Sequence, residues 1–210
     1  MDDFSIQDDR IDRALHELKI INKYLGGIST TKSALKYFVE SKNEDLKILD
    51  IGSGSSDNLT AAKNKYPNLK IFSIDKNLRA LSSSKNNLKK INSDAFNLPV
   101  KNNVCDIVHA ALFLHHFTFE ELQKLLIEFL RIARKGIIIN DLQRSYLALL
   151  GIKILTFLFS KSEMVKNDAP LSVKRGFTKQ EMLKLLSDVG ATNFVIKKKW
   201  AFRWMVVIKK

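Results

Sequence analysis

The stretch 46–57, LKILDIGSGSSD, constrains this chain more than any other. Ile48, Leu49 and Ile51 make a short apolar run, interrupted near its end by the acid Asp50. Two glycines, Gly52 and Gly54, follow at once, and a polar segment with helical spacing begins at Asp57. An apolar strand that runs through glycines into a helix is the opening unit of a sheet whose strands are parallel and covered on both faces. The glycines serve a backbone that must turn tightly and stay open to a ligand.

The downstream pattern repeats that unit. Apolar strands are expected at 47–51, 70–75, 90–93, 104–110 and 136–140, with helices at 57–65, 77–87 and 118–133 between them. Right-handed crossovers put the C-terminal end of every such strand on one edge of the sheet, where ligands of these folds bind. Asp50, Asp75, Asp94 and Asp141 each end or closely follow a strand, so all four are expected at that edge. Thr118 with Glu121, and Thr178 with Glu181, have the spacing of a capping box and mark two helix starts. Gly190 closes the second of these helices. Segments 193–200 and 202–208 read as two antiparallel strands at a sheet edge guarded by lysines. Upstream, 10–25 has apolar residues Ile11, Leu15, Leu18, Ile21 and Leu25 at helical spacing, and a second helix is expected at 31–40. His16 reads as a surface or packing residue.

One segment breaks the alternation. After the fifth strand comes the apolar run 146–159, YLALLGIKILTFLF, too short to cross a bilayer, and then a stretch read as a loop. The fold class expected is α/β: a Rossmann-like, seven-stranded, mostly parallel sheet with a C-terminal antiparallel hairpin and helices on both faces. The whole chain, 1–210, forms one domain, with an N-terminal helical cap over 1–45, a ligand-binding core over 46–141, a substrate lid over 142–176, and a last helix and hairpin over 177–210.

Composition supports one domain: 210 residues at 45% hydrophobic content can bury a single well-packed core. The lone Cys105 excludes a disulfide framework and, with an acidic N-terminus unlike an export signal, favours a cytoplasmic setting. The net charge of +13 invites a nucleic-acid reading. Most of that charge is Lys, however, and Arg is the usual residue for bidentate recognition of bases and phosphates.

A glycine turn of this kind could hold a dinucleotide or S-adenosylmethionine. Dinucleotide sites place a third glycine where this chain has Asp57, and a carboxylate there would repel the pyrophosphate. S-adenosylmethionine has no phosphate. Its sulfonium and ammonium suit the acid Asp50, a carboxylate at the end of the second strand (Asp75) can accept two ribose hydroxyls, and Asp94 can accept from an adenine amino group. No metal site is expected.

These residues are where the chain resembles the class I S-adenosylmethionine-dependent methyltransferases. LDIGSGSSD is similar to their glycine-rich first motif, IFSIDKN to their ribose motif, and NSDAFNLPVKNNVCDIVHAALFLHH to their adenine-pocket and fourth-strand motifs, with Ser56 standing at the family's third glycine. The resemblance implies that Asp50, Gly52 and Gly54 line the methionine end, Asp75 and Lys76 the ribose, and Asp94 and Ala95 the adenine, with Phe96 either on the adenine or in the core. The stretches GIIINDLQRS and KNDAPLSVKRGFT are similar to a small-molecule branch related to quinone-biosynthesis and type III polyketide-associated enzymes, which implies O-methylation of a phenolic, quinone-like or polyketide acceptor.

On the acceptor side, a phenol must lose a proton as it is methylated, a role for which His is suited near neutral pH. His115 and His116 follow the fourth strand, and His116 is the favoured base, with capping or loop hydrogen bonds as the alternative for both. Asp141 could orient a substrate hydroxyl or pair with Arg144. Asn140 and Arg144, just after the fifth strand, are candidate substrate contacts, while His109 inside the fourth strand reads as structural. The lid could line a greasy pocket, lie on a membrane surface or pack as core. An RNA or protein methyltransferase and a non-catalytic partner protein of the same fold are the competing functions. The place after the fourth strand reads HAALFLHH, unlike the N/D-P-P-Y/F stretch of enzymes that methylate base amines.

Overall fold

A computed structural model describes residues 9–83 and 88–210. The helices and strands in chain order are α1 (Asp9–Tyr24), α2 (Gly27–Leu35), β1 (Leu46–Ile51), α3 (Asp57–Ala62), β2 (Leu69–Asp75), α4 (Leu78–Ser82), β3 (Lys89–Asn92), β4 (Cys105–Ala111), α5 (Phe119–Ile132), β5 (Ala133–Leu142), α6 (Tyr146–Phe159), α7 (Glu163–Arg175), α8 (Lys179–Asp188), β6 (Phe194–Lys199) and β7 (Arg203–Lys209). The seven strands form one sheet in the order β3-β2-β1-β4-β5-β7-β6. β1 to β5 run parallel, and β7 is antiparallel to both β5 and β6. This is the Rossmann-like sheet expected, hairpin included.

Strand alternation divides the core between the two faces. Leu49, Ile51, Val108, Ala110, Ile137 and Ile139 point to one side, where Leu125, Phe129 and Ile132 of α5 and Met182, Leu185 and Leu186 of α8 meet them. Ile48, Ile71, Ile107 and Ile138 point to the other, against Ala34 and Leu35 of α2 and Leu59 and Ala62 of α3. Continuous apolar strands are needed because both faces are covered. Both expected capping boxes form: the Thr118 and Thr178 hydroxyls each accept the N–H of the glutamate three residues on, and each threonine N–H donates back to that glutamate's carboxylate.

Three elements differ most from expectation. α2 spans Gly27–Leu35 rather than 31–40, because Gly26, left-handed at φ 82°, ends α1 and lets a new helix start at the next residue. The helix expected at 77–87 covers Leu78–Ser82, capped by the Asn77 side chain; the end of that expectation lies outside the described residues, as does the acidic N-terminal stretch up to residue 8. The stretch read as a loop after 159 is the helix α7. Ser162 caps it, and Val165, Ala169 and Val173, one turn apart, pack with Ala14, Ala148 and Ile152 of α1 and α6 in a third apolar cluster. Pro170 sits inside this helix, which obscured the helical spacing in the sequence. The insert is therefore a two-helix cover over the C-terminal edge of the sheet, closed on its remaining side by α1.

Candidate active site

The sheet order reverses between β1 and β4, and the glycine turn emerges there. Gly52 and Gly54 are both left-handed, at φ 61° and 50°. A Cβ on Gly52 would lie 2.0 Å from the Phe113 ring, so the loop after β4 packs directly on this glycine. A Cβ on Gly54 would meet nothing within 4 Å. The space beside Gly54 is the floor of a cavity of about 630 Å3. Residues 52–58 form one end of it, and Leu18 and Ile21 of α1 with Leu25 just after it, Ala148, Ile152 and Leu155 of α6, and Ala169 and Val173 of α7 form apolar walls.

Asp50 lines this cavity but its oxygens are already engaged. Oδ1 accepts from His109 Nδ1 at 2.6 Å, and Oδ2 accepts from the Ser56 hydroxyl at 2.6 Å. Asp50 and His109 are register partners across β1 and β4, so strand pairing alone brings them together. Ser56, at the position of the family's third glycine, is left-handed at φ 53°, and its bond to Asp50 holds that conformation.

The bond between Asp50 and His109 continues into a buried chain of donors. Because Nδ1 donates to the carboxylate, Nε2 of a neutral His109 accepts from the Thr31 hydroxyl, 3.0 Å away. Thr31 Oγ1 accepts from Asn140 Nδ2 at 3.0 Å, and Asn140 Oδ1 accepts from Arg203 Nη1 at 3.2 Å. Arg203 also donates to the Leu25 carbonyl and to Asn22 Oδ1. Each group donates to the next from Arg203 to Asp50, so a buried cation and a buried anion are joined through three neutral side chains. Burial lowers the Arg203 guanidinium to about 10, partly offset by the Asp141 charge. Asn140, expected as a substrate contact, is spent within this chain and is not among the residues that line the cavity: with no exposure at all, it lies between α2 and β7.

A second carboxylate–histidine pair stands at the end of β5. Asp141 is fully buried, and its Oδ1 accepts from His115 Nδ1 at 2.7 Å. The N–H groups of Phe113, Leu114 and Leu142 also donate to it. Burial alone would raise the Asp141 carboxyl, but the His115 charge and hydrogen bond, with the Leu142 and Leu114 N–H groups, outweigh it and hold the carboxyl below its ordinary value. Asp141 thus pairs with His115, and Arg144 pairs instead with Glu181 on α8. Arg144, the other expected substrate contact, is absent from the cavity wall. His115 and His116 both line the cavity, His115 buried and His116 exposed, with ring centroids 4.3 Å apart.

The residues expected to hold ribose and adenine sit outside the cavity wall, along the β2 and β3 ends of the same edge. Asp75 accepts from the Gly54 N–H at 2.7 Å and the Asn77 N–H at 2.8 Å. Its burial raises the carboxyl, against the lowering effect of these two bonds. Lys76 and Asp94 form an ion pair at 3.0 Å, and Asp94 also accepts from Phe96 N–H. Ala95 is buried in the core, and Phe96 packs edge-on against Phe117. Sequence reasoning missed Arg203, Thr31 and Asn22. The available signal for Arg203 was a cation at the start of an otherwise apolar strand, which reads equally well as an exposed strand end. Among the described residues no group of three or more His, Cys, Asp or Glu could hold a metal.

Residues 49–139 match a family model described as a methyltransferase domain. Among solved structures, the chain is similar to human N-acetylserotonin methyltransferase in complex with SAM, at 21% identity over 96% of this chain and 56% of that chain, with a TM-score of 0.68. It is similar to the plantazolicin methyltransferase in complex with SAH, at 18% identity over 96% of this chain and 95% of that one, with a TM-score of 0.66. A SAM-dependent methyltransferase from Aquifex aeolicus gives 17% identity, 85% and 88% coverage and a TM-score of 0.62. At these identities the likeness is one of fold. The chain spans 56% of the human protein's length and the same share of a Nostoc punctiforme relative. No curated protein matches the sequence. Residues 49–139 thus match a methyltransferase domain, and the sheet that contains them has the fold of these methyltransferases.

Proposed function

We propose that this domain methylates an oxygen of a small hydrophobic acceptor, phenolic, quinone-like or polyketide in character. The observation that carries the reading is one cavity of about 630 Å3 that joins the glycine turn to apolar walls from α1, α6 and α7, with a carboxylate-oriented histidine in it. Such a volume suits a small molecule that must lose its water to react.

The site fits its cofactor. Open space beside Gly54 lets the ligand approach the backbone, and the turn at 52–58 receives the methionine end. Both oxygens of Asp75 accept backbone N–H groups, from Gly54 and Asn77 among others, and their remaining lone pairs face the ribose hydroxyls. Lys76 borders the ribose, and Asp94 and Ala95 border the adenine. When bound, S-adenosylmethionine supplies an electrophilic methyl group. The chain's own residues do the rest. Apolar walls hold the acceptor in line and exclude water. Asp141 fixes the tautomer of His115 with hydrogen on Nδ1, so Nε2 carries the lone pair that takes the acceptor's proton. This orientation makes His115, rather than the expected His116, the base, and leaves His116 to contact the acceptor from the rim.

The test is methyl transfer from labelled S-adenosylmethionine to a panel of phenols and hydroxyquinones. His115→Gln is expected to lower turnover about 100-fold or more, the range of general base catalysis, while cofactor affinity stays within about twofold of wild type. His116→Ala is expected to act mainly on acceptor KM. Unchanged turnover in His115→Gln would remove it as the base.

A further inference from the structure

α6 is apolar on both sides apart from Lys153 and Thr156, yet the protein covers only one side of it. Ala148, Ile152 and Thr156 are buried, and Leu149 and Leu155 pack against the third apolar cluster. The opposite side presents Tyr146, Leu147, Leu150, Ile154, Phe157 and Leu158 to solvent, with Tyr146 and Phe157 78% and 79% exposed. A helix with this composition normally lies in a core or in lipid. At 14 residues it is about 21 Å long, short of the roughly 30 Å of a bilayer's hydrocarbon. Among the described residues no helix is long and apolar enough to cross a membrane.

The charges around this face choose its partner. Lys153 stands on the exposed side, between Leu150 and Phe157 at helical spacing, and Lys161 follows the helix end; both are exposed. No acid occurs between Arg144 and Glu163. A second copy of the chain would bring lysine against lysine, on molecules that each carry +13. An anionic lipid surface brings the opposite charge, accepts the apolar side chains, and lets the Lys stems reach the headgroups.

We propose that α6 is an interfacial helix that seats this protein on an anionic bilayer. Its inner side lines the cavity through Ala148, Gly151, Ile152 and Leu155, so a single helix separates the cavity from the lipid. A lipid-soluble acceptor can then pass from the bilayer without crossing water. The seating itself stands on α6 and its charges and is independent of which acceptor is methylated.

Flotation of the full chain with vesicles of phosphatidylcholine and phosphatidylglycerol in equal parts tests this, against vesicles of phosphatidylcholine alone. Binding is expected to the anionic vesicles, at least tenfold above the neutral ones. Ile154→Glu with Phe157→Glu, both exposed and outside the cavity wall, is expected to cut it at least tenfold with S-adenosylmethionine affinity unchanged. The control pair Lys197→Glu and Lys198→Glu, on the far hairpin, is expected to keep at least half. No flotation with anionic vesicles at low salt, or a greater loss in the hairpin pair than in the α6 pair, overturns the proposal. So does sedimentation showing a wild-type oligomer that the α6 pair makes monomeric, since a second copy would then cover the face.

Discussion

Asp50 and Asp141 end neighbouring parts of the same sheet edge, and each binds Nδ1 of a histidine, yet the two pairs are built for different work. His109 has both ring nitrogens engaged, by Asp50 and by Thr31, and is 1% exposed. His115 has one nitrogen on Asp141 and lines the cavity. The first pair is a joint in the buried chain that ends at Arg203. Thr31→Val keeps the shape at that joint but leaves His109 Nε2 without its donor and one Asn140 N–H without its acceptor, while the other still reaches the Gly27 carbonyl. The expected loss is about 2 kcal/mol, read as a shift in the denaturation midpoint with unchanged slope; a loss near zero would mean the chain does not act as a unit. The second pair carries a pH dependence. The Asp141 carboxyl lies below its ordinary value when folded, so its contribution is complete above the ordinary carboxylate value of about 4 and is lost as pH falls through the depressed value. Melting temperature should therefore fall more steeply with acid in wild type than in Asp141→Asn, which should also be less stable at neutral pH. Parallel acid profiles would contradict this assignment.

At the scale of elements, the glycine turn separates two requirements. Gly52 is needed for packing, since a methyl there would strike the Phe113 ring in the loop that carries His115. Gly54 is needed for access, since a methyl there would enter open space. Gly52→Ala should cost about 2 kcal/mol or more by overpacking added to its left-handed backbone. Gly54→Ala should cost about 1 kcal/mol from the backbone alone, yet weaken S-adenosylmethionine more. Thermal melts with and without cofactor read both quantities, and the reverse ranking would show that the turn faces the other way. This contrast explains what was legible in sequence. The apolar strand with two glycines, the regular spacing of Asp75 and Asp94 and the two capping boxes depend on local chemistry, and their elements fall where expected. α7 depends on apolar residues that find α1 and α6 only in the folded chain, and Pro170 hid its period. Asn140 and Arg144 lie at the expected sheet edge, but the partner of each, Arg203 or Glu181, comes from 63 or 37 residues away, so no local pattern could say that they face away from the cavity.

The whole molecule reads as two surfaces meeting at one sheet edge. On the proposed function, the glycine turn with the β2 and β3 ends beside the cavity takes the cofactor, and the cavity walls from α1, α6, α7 and the turn at 200–203 take the acceptor. Asp75 belongs to the first side and touches nothing on the second, so it isolates the cofactor claim from every statement about acceptor, base or membrane. Calorimetric titration of the wild-type chain with S-adenosylmethionine, repeated with Asp75→Ala, is the most direct measurement. One molecule is expected to bind per chain, with affinity at least tenfold weaker in the variant. Absence of binding to the wild type, or equal affinity in Asp75→Ala, would contradict the account at its centre.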